Sequence, residues 1–368
     1  MIHFNSLMVG HHVPGEGTEA VDKPSPVETD FVDWNIRAET AQEELIYNFW
    51  NPELQIMNQL APCSGNCNEN LIYWWHAHVI DVLMDGYERT RKRRYLNRID
   101  RVIAGVKQLN GETLLHNYYD DMEWMALALL RVYDATGREE DREAVLVLWE
   151  SIKTAWNDHM GGGMAWKKDQ LDYKNTPANA PASILASRLY QRFRRPEDLA
   201  WARKIYQYNK DTLVDPDTGF VWDGINRLGD GKIDKDWEYT YCQGVFIGAG
   251  IELYRVTGDP AYLGDALRTA KTSLKRFVLP DGMLPDEGKD DCGLFKGIYI
   301  RYLRELLRIR PELSEIRQMM LHNAETLWRK GRDEKGLISR NWKERPEGVV
   351  QLCAQLSGIM LIEAVASL

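Results

Sequence analysis

Cysteine is scarce and its count is odd. Five residues, at spacings that suggest no disulfide framework, fit a reducing compartment. Long apolar runs are missing as well, and none approaches the length of a membrane span. The opening stretch Met1-Ile2-His3-Phe4-Asn5-Ser6 has neither the basic nor the apolar segment of a signal peptide. These absences lead to the expectation of a cytoplasmic protein with no membrane partner. Basic blocks are equally thin. Net charge is −9, and the densest basic run, Arg91-Lys92-Arg93-Arg94, reads as a solvated turn, so nucleic acid is not an expected partner. No Gly-x-Ser-x-Gly elbow follows a strand, which disfavours a Ser-His-Asp hydrolase.

What is present is helical and aromatic. Phe numbers 8, against 13 Trp and 17 Tyr, and the latter two carry a polar handle on an apolar face, as a wet aromatic cleft requires. The first 36 residues, with Pro14, Gly15, Gly17, Pro24 and Pro26, read as an irregular arm, and residues 37–368 as one domain. Helical periodicity dominates that domain and no alternating strand run competes with it. The spacing predicts twelve helices: 37–50, 71–90, 92–109, 120–136, 139–157, 176–193, 196–213, 239–257, 260–279, 293–309, 312–330 and 349–367.

Connections alternate between two kinds. The tight ones repeat a Tyr near a helix end followed by a turn, as in Tyr87 to Arg91, Tyr133 to Gly137, Tyr190 to Arg194 and Tyr254 to Gly258. The long ones (51–70, 110–119, 158–175, 214–238, 280–292 and 331–348) all precede even-numbered helices and so share one face. Six such hairpins closing on themselves predict an all-α (α/α)6 barrel, with Gly and Ala crowding the even helices into an inner ring.

Chemistry concentrates on the long-loop face. Asp120-Asp121 opens an Ala/Leu-rich helix between Tyr118, Tyr119 and Trp124. Helix capping is the plain reading of such a pair, but paired carboxylates beside aromatic walls are also what glycosidic cleavage uses. Adjacent side chains facing one sugar cannot spread to the roughly 6.5–9.5 Å of inverting enzymes, which favours double displacement. The helix N-terminus should lower both acids, and their mutual repulsion should raise one again, leaving one ionised and the other protonatable. Acids and aromatics meet again at Trp222-Asp223, Trp237 to Tyr241, Asp290-Asp291 and Tyr73-Trp74-Trp75. Gly161-Gly162-Gly163 before Trp166 lacks the flanks of a phosphate cradle and fits a tight loop or a close backbone approach to a ligand. Asn175 and Asn179 fit hydroxyl binding or capping. Cys63, Cys67, His76 and His78 match no common zinc spacing, and the Asp215 and Asp230 loops read as turns, so neither metal nor cofactor is expected.

These motifs resemble glycoside hydrolase family 76, the α-1,6-mannanases and related enzymes. Five blocks carry the resemblance, in order: Asp120-Asp121 with Trp124 and Ala126-Leu127-Ala128 through Gly137; Gly161 to Trp166; Tyr173-Lys174-Asn175 with Asn179; Tyr254 through Thr257-Gly258-Asp259 to Leu263; and Phe295-Lys296-Gly297-Ile298 with Arg301-Tyr302-Leu303. The chain has Tyr241-Cys242-Gln243-Gly244 where the family commonly has Tyr-Asn-Gln-Gly. The resemblance implies an (α/α)6 fold and retaining cleavage of α-mannosidic bonds in an oligosaccharide or polysaccharide. It makes Asp120 the nucleophile and Asp121 the acid/base. Candidate substrate-binding residues are Trp75, Tyr119, Trp124, Trp166, Tyr173, Asn175, Asn179, Asp223, Tyr241, Gln243, Asp291 and Lys296. Another (α/α)6 sugar enzyme, an unsaturated uronyl hydrolase or an epimerase, and a non-catalytic carbohydrate-binding scaffold are the competing expectations.

Overall fold

The structure, a computed structural model, describes residues 33–65 and 67–368, so the expected arm lies outside the described residues up to position 32. Among the described residues there are twelve α-helices: α1 (Trp34–Phe49), α2 (Tyr73–Thr90), α3 (Arg93–Leu109), α4 (Tyr119–Thr136), α5 (Glu139–Lys153), α6 (Thr176–Phe193), α7 (Pro196–Leu213), α8 (Thr240–Thr257), α9 (Pro260–Phe277), α10 (Cys292–Ile309), α11 (Ser314–Lys330) and α12 (Leu352–Ala366). The first starts ahead of the expected residue 37 because Asp33 caps it, accepting the N–H groups of Asn35 and Ile36.

The two rings differ in how they bury. α3 hides one stripe, Tyr95, Ile99, Val102 and Val106, at helical spacing. α12 is buried continuously from Leu352 to Val365, as an inner helix must be. Each even helix packs on the next, α2 on α4 and onward to α12, and α12 packs back on α2, closing the ring. The odd helices lie outside it, α3 on α2, α5 on α4, α7 on α6, α9 on α8, with α1 and α11 against α12. Inner helices approach closely at glycines: a Cβ on Gly244 would meet the Tyr299 backbone at 2.8 Å, and one on Gly297 the Ser357 backbone at 2.7 Å. The fold is the (α/α)6 toroid.

The repeated tyrosines mark helix ends. Arg91, Gly137, Arg194 and Gly258 are left-handed and donate their N–H to the carbonyls of Tyr87, Tyr133, Tyr190 and Tyr254. Short strands, which the sequence pattern did not predict, stiffen the long loops. β1 (Trp50–Asn51) pairs with β2 (Ile56–Met57), and β3 (Leu60–Ala61) with β7 (Val350–Gln351). β4 (Ala165–Lys167), β5 (Gln170–Asn175) and β6 (Gly224–Ile225) form an antiparallel sheet in that order. None exceeds six residues, too short for alternation to show.

Candidate active site

The inner helices all begin on the long-loop face, so their N-termini converge there. Between them opens a cavity of about 850 Å³. The N-terminal ends of α2 (Tyr73, Trp74, Trp75), α4 (Asp120, Asp121, Trp124), α8 (Tyr241) and α10 (Cys292, Phe295) line it. Loop residues complete the wall: His116, Tyr118, Trp166, Tyr173, Asn175, Asp223, Arg227, Trp237, Tyr239 and Asp291 among them. Tyr241 stacks on Phe295 at 3.8 Å, and Trp166 stands edge-on to Tyr118 and Tyr173.

The adjacent acids differ in their partners. Asp120 Oδ1 accepts the Asp121 N–H at 3.0 Å, and its Oδ2 accepts Trp166 Nε1 at 3.0 Å. Asp121 Oδ2 lies 3.3 Å from His116 Nδ1. Burial dominates both titrations, against the expectation that the helix N-terminus would lower them. It pushes Asp120 up to about 7, the two donated hydrogen bonds opposing it. Asp121 lies well above the usual carboxylate range because of burial, then the charges of Asp120 and Asp291. Asp120 is therefore the more readily ionised of the two.

Beside Asp290, two further carboxyls face the cavity. Asp291 Oδ1 accepts both indole N–H groups of Trp74 (2.9 Å) and Trp75 (3.1 Å), which fixes those rings; burial raises its pKa. Asp223 is buried, accepting Tyr173 Oη at 3.0 Å and Tyr241 Oη at 3.1 Å and pairing with Arg227. That guanidinium lies over Trp237 at 3.7 Å. Such an arrangement offers carboxylate acceptors, hydroxyl donors and flat apolar faces, the contacts a pyranose needs. Among the described residues no three His, Cys, Asp or Glu converge as a metal set.

Comparison with known proteins agrees with this geometry. The family model described as glycosyl hydrolase family 76 matches residues 33–367. The chain belongs to glycosyl hydrolase family 76. A solved family 76 structure is an inactive variant of the alpha-1,6-mannanase of Salegentibacter sp. HEL1_6, with two consecutive aspartates changed to alanine, in complex with alpha-1,6-mannotetrose. This chain is 41% identical to it at a TM-score of 0.86, with 91% of this chain and 99% of that one covered. A protein from Listeria innocua of known structure is 40% identical, at a TM-score of 0.87, over 91% and 97% of the two chains. The mannan endo-1,6-alpha-mannosidase of Candida glabrata is 22% identical over 272 residues, 66% of this chain; the chain spans 60% of that relative's length.

Within this family 76 chain, the structure brings Trp75, Asp120, Asp121, Trp124, Trp166, Tyr173, Asn175, Asp223, Tyr241 and Asp291 to one cavity. Four other candidates stand behind its wall. Tyr119 is buried with its hydroxyl on Thr154. Asn179 takes the Met164 N–H at 2.9 Å and donates to the Met164 carbonyl at 3.2 Å. Gln243 does the same for Val221, at 3.0 and 2.6 Å. Lys296 is buried on the carbonyls of Pro285 and Arg340. All four spend their polar atoms on the protein itself. The Gly161–Gly163 run serves a tight loop, since a Cβ on Gly163 would lie 2.1 Å from the Tyr208 ring. Contrary to the cysteine spacing, Cys63 and Cys67 form a disulfide. His76 bridges the carbonyls of Ile72 and Met57. Cys242, in place of the usual Asn, directs its thiol to Asp223 at 3.5 Å.

His116 and Arg227 are cavity residues that the sequence did not single out. Neither sits in a periodic pattern. The only available signal was position, His116 just ahead of the acid pair and Arg227 in a loop already dense in Asp and Trp.

Proposed function

We propose that this chain is a retaining glycoside hydrolase of α-mannosidic bonds, α-1,6-linked mannooligosaccharides being its substrate class. One observation carries the reading: two adjacent carboxyls at an inner-helix N-terminus open into one aromatic-walled cavity. Among the described residues neither pairs with a Lys or Arg. The family relatives' activity on alpha-1,6-mannan and the bound alpha-1,6-mannotetrose support the choice of linkage.

Asp120, whose hydrogen bonds favour its ionised form, attacks the anomeric carbon as the C–O bond breaks. Asp121 passes its proton to the departing oxygen. A water then gives its proton back to Asp121 and its oxygen to the anomeric carbon, freeing Asp120. Trp75, Trp166 and Tyr241 offer stacking faces, and Asp223, Asn175 and Asp291 offer partners for hydroxyls.

The test is turnover of α-1,6-mannooligosaccharides by wild type, Asp120→Asn and Asp121→Asn. Each variant should lose roughly 10²–10⁴-fold or more in kcat while still binding the sugar. Wild-type rates in both variants would make the pair structural. A wild type that binds mannooligosaccharides without cleaving them would make the chain a sugar-binding scaffold.

A further inference from the structure

His116 has no part in the proposed reaction, yet its ring reaches Asp121 from the loop ahead of α4. Its ring stacks on Tyr73 of α2, with centroids 4.7 Å apart and an 18° tilt, and runs within 25° of parallel to Tyr118 at 5.6 Å. Its Nδ1 accepts the Tyr118 N–H at 3.4 Å and also lies 3.3 Å from Asp121 Oδ2. A ring nitrogen that accepts an amide N–H carries no hydrogen itself. On that bond His116 is the Nε2–H tautomer, and its one Nδ1 lone pair is shared between the Tyr118 N–H and any hydrogen carried by Asp121 Oδ2. An ionised Asp121 would instead present a lone pair to a lone pair.

We propose that His116 is a positioning residue for Asp121: its Nδ1 accepts a hydrogen bond from the protonated carboxyl and holds the acid's proton at the cavity until the glycosidic oxygen takes it. The inference rests on Asp121 being the acid/base. His116 keeps its own hydrogen throughout; the proton that moves is the one on Asp121. The surrounding charges act in the same sense. Asp120 from the same helix and Asp291 ahead of α10 both hold the proton on Asp121. Burial, then the charge of Lys168, lowers the His116 pKa and keeps the ring neutral. Tyr73, beneath the ring, donates its hydroxyl to the Leu114 carbonyl and is kept neutral by burial. Glu123, one turn along α4, is wholly buried, and burial raises its pKa well above the usual carboxylate range.

The experiment compares wild type, His116→Ala and His116→Asn on two substrates. One is an α-1,6-mannooligosaccharide, whose leaving oxygen needs a proton. The other is dinitrophenyl α-mannoside, whose phenolate leaves without one. Removing the acceptor should move the alkaline limb of kcat/KM for the oligosaccharide down by about 0.5–1 pH unit. Its kcat should fall about tenfold or more with KM little changed, whereas kcat/KM on the dinitrophenyl substrate should hold within about twofold. His116→Asn, which keeps an acceptor oxygen, should recover part of the loss. An unmoved alkaline limb, or equal losses on both substrates, would overturn the inference while leaving the proposed function intact. A wild type inert on both would overturn the two together. Nitrogen chemical shifts of His116 in the wild-type protein give a check that needs no variant. At about pH 6 they should report a bare Nδ1, and a protonated Nδ1 would contradict the assignment.

Discussion

At the scale of single residues, the site divides its labour by what each carboxyl accepts. Asp120 has two N–H donors, and removing one should be visible in the pH profile. Trp166→Phe keeps the aromatic face but takes away the indole N–H on Oδ2. The ionised form of Asp120 loses stabilisation, so its pKa rises above about 7 and the acid limb of kcat/KM moves to higher pH, by about 0.5–1 unit. A limb that stays in place or moves to lower pH would contradict that role for Trp166. The acid pair itself was legible in the sequence because two carboxyls between aromatics sit oddly as a plain cap. The direction of their pKa shifts was not legible: burial outweighs the helix dipole and raises both, and the two N–H donors on Asp120 favour its ionised form. Tyr119, Asn179, Gln243 and Lys296 sit beside cavity residues in sequence, and sequence cannot say which side of a wall a side chain takes.

At the scale of elements, a repeated device holds the loops. The fourth residue of four inner helices, His76 of α2, Asn179 of α6, Gln243 of α8 and Gln355 of α12, is a buried amide or imidazole bound to the backbone of a long loop. Gln243 clamps Val221, two residues before Asp223, so it places a cavity carboxylate without touching the cavity. Gln243→Leu leaves the buried N–H and C=O of Val221 unpartnered and should cost about 2 kcal/mol or more. Denaturant unfolding measures that loss, and a change under about 0.5 kcal/mol would mean that water replaces the clamp. Helix ends were readable because Gly and Tyr punctuate the tight turns. The small sheet of β4, β5 and β6 was not, because tertiary pairing of short loop segments leaves no periodic trace.

At the scale of the molecule, charge is handled differently at the two ends of the ring. Away from the cavity, Asp85 of α2 accepts Arg131 of α4 at 2.8 Å and Arg301 of α10 at 2.7 Å, with Arg304 at 3.7 Å. These guanidiniums hold its carboxyl well below the usual range despite burial. Such a folded-state shift adds stability above the unfolded pKa, and that stability is lost progressively as pH falls from there through the folded value. Asp85→Ala strands buried guanidiniums and should cost about 3–5 kcal/mol at neutral pH, read as a lowered midpoint of thermal unfolding. A midpoint within a degree or two of wild type would show the network to be dispensable. Ring closure was legible from the alternation of long and tight connections. The ion network was not, since its members lie far apart in sequence on different helices.

At the cavity end Asp120 and Asp121 have no Lys or Arg partner among the described residues, which costs stability and supplies reactivity. On the proposed mechanism Asp120 bonds covalently to the sugar while Asp121 moves the proton. Incubation with a fluorinated mannosyl fluoride, whose glycosyl-enzyme hydrolyses slowly, followed by peptide mass mapping, tests it most directly. One sugar per chain should be found, attached at Asp120. A sugar on Asp121 or elsewhere, or inactivation with no covalent adduct, would contradict it.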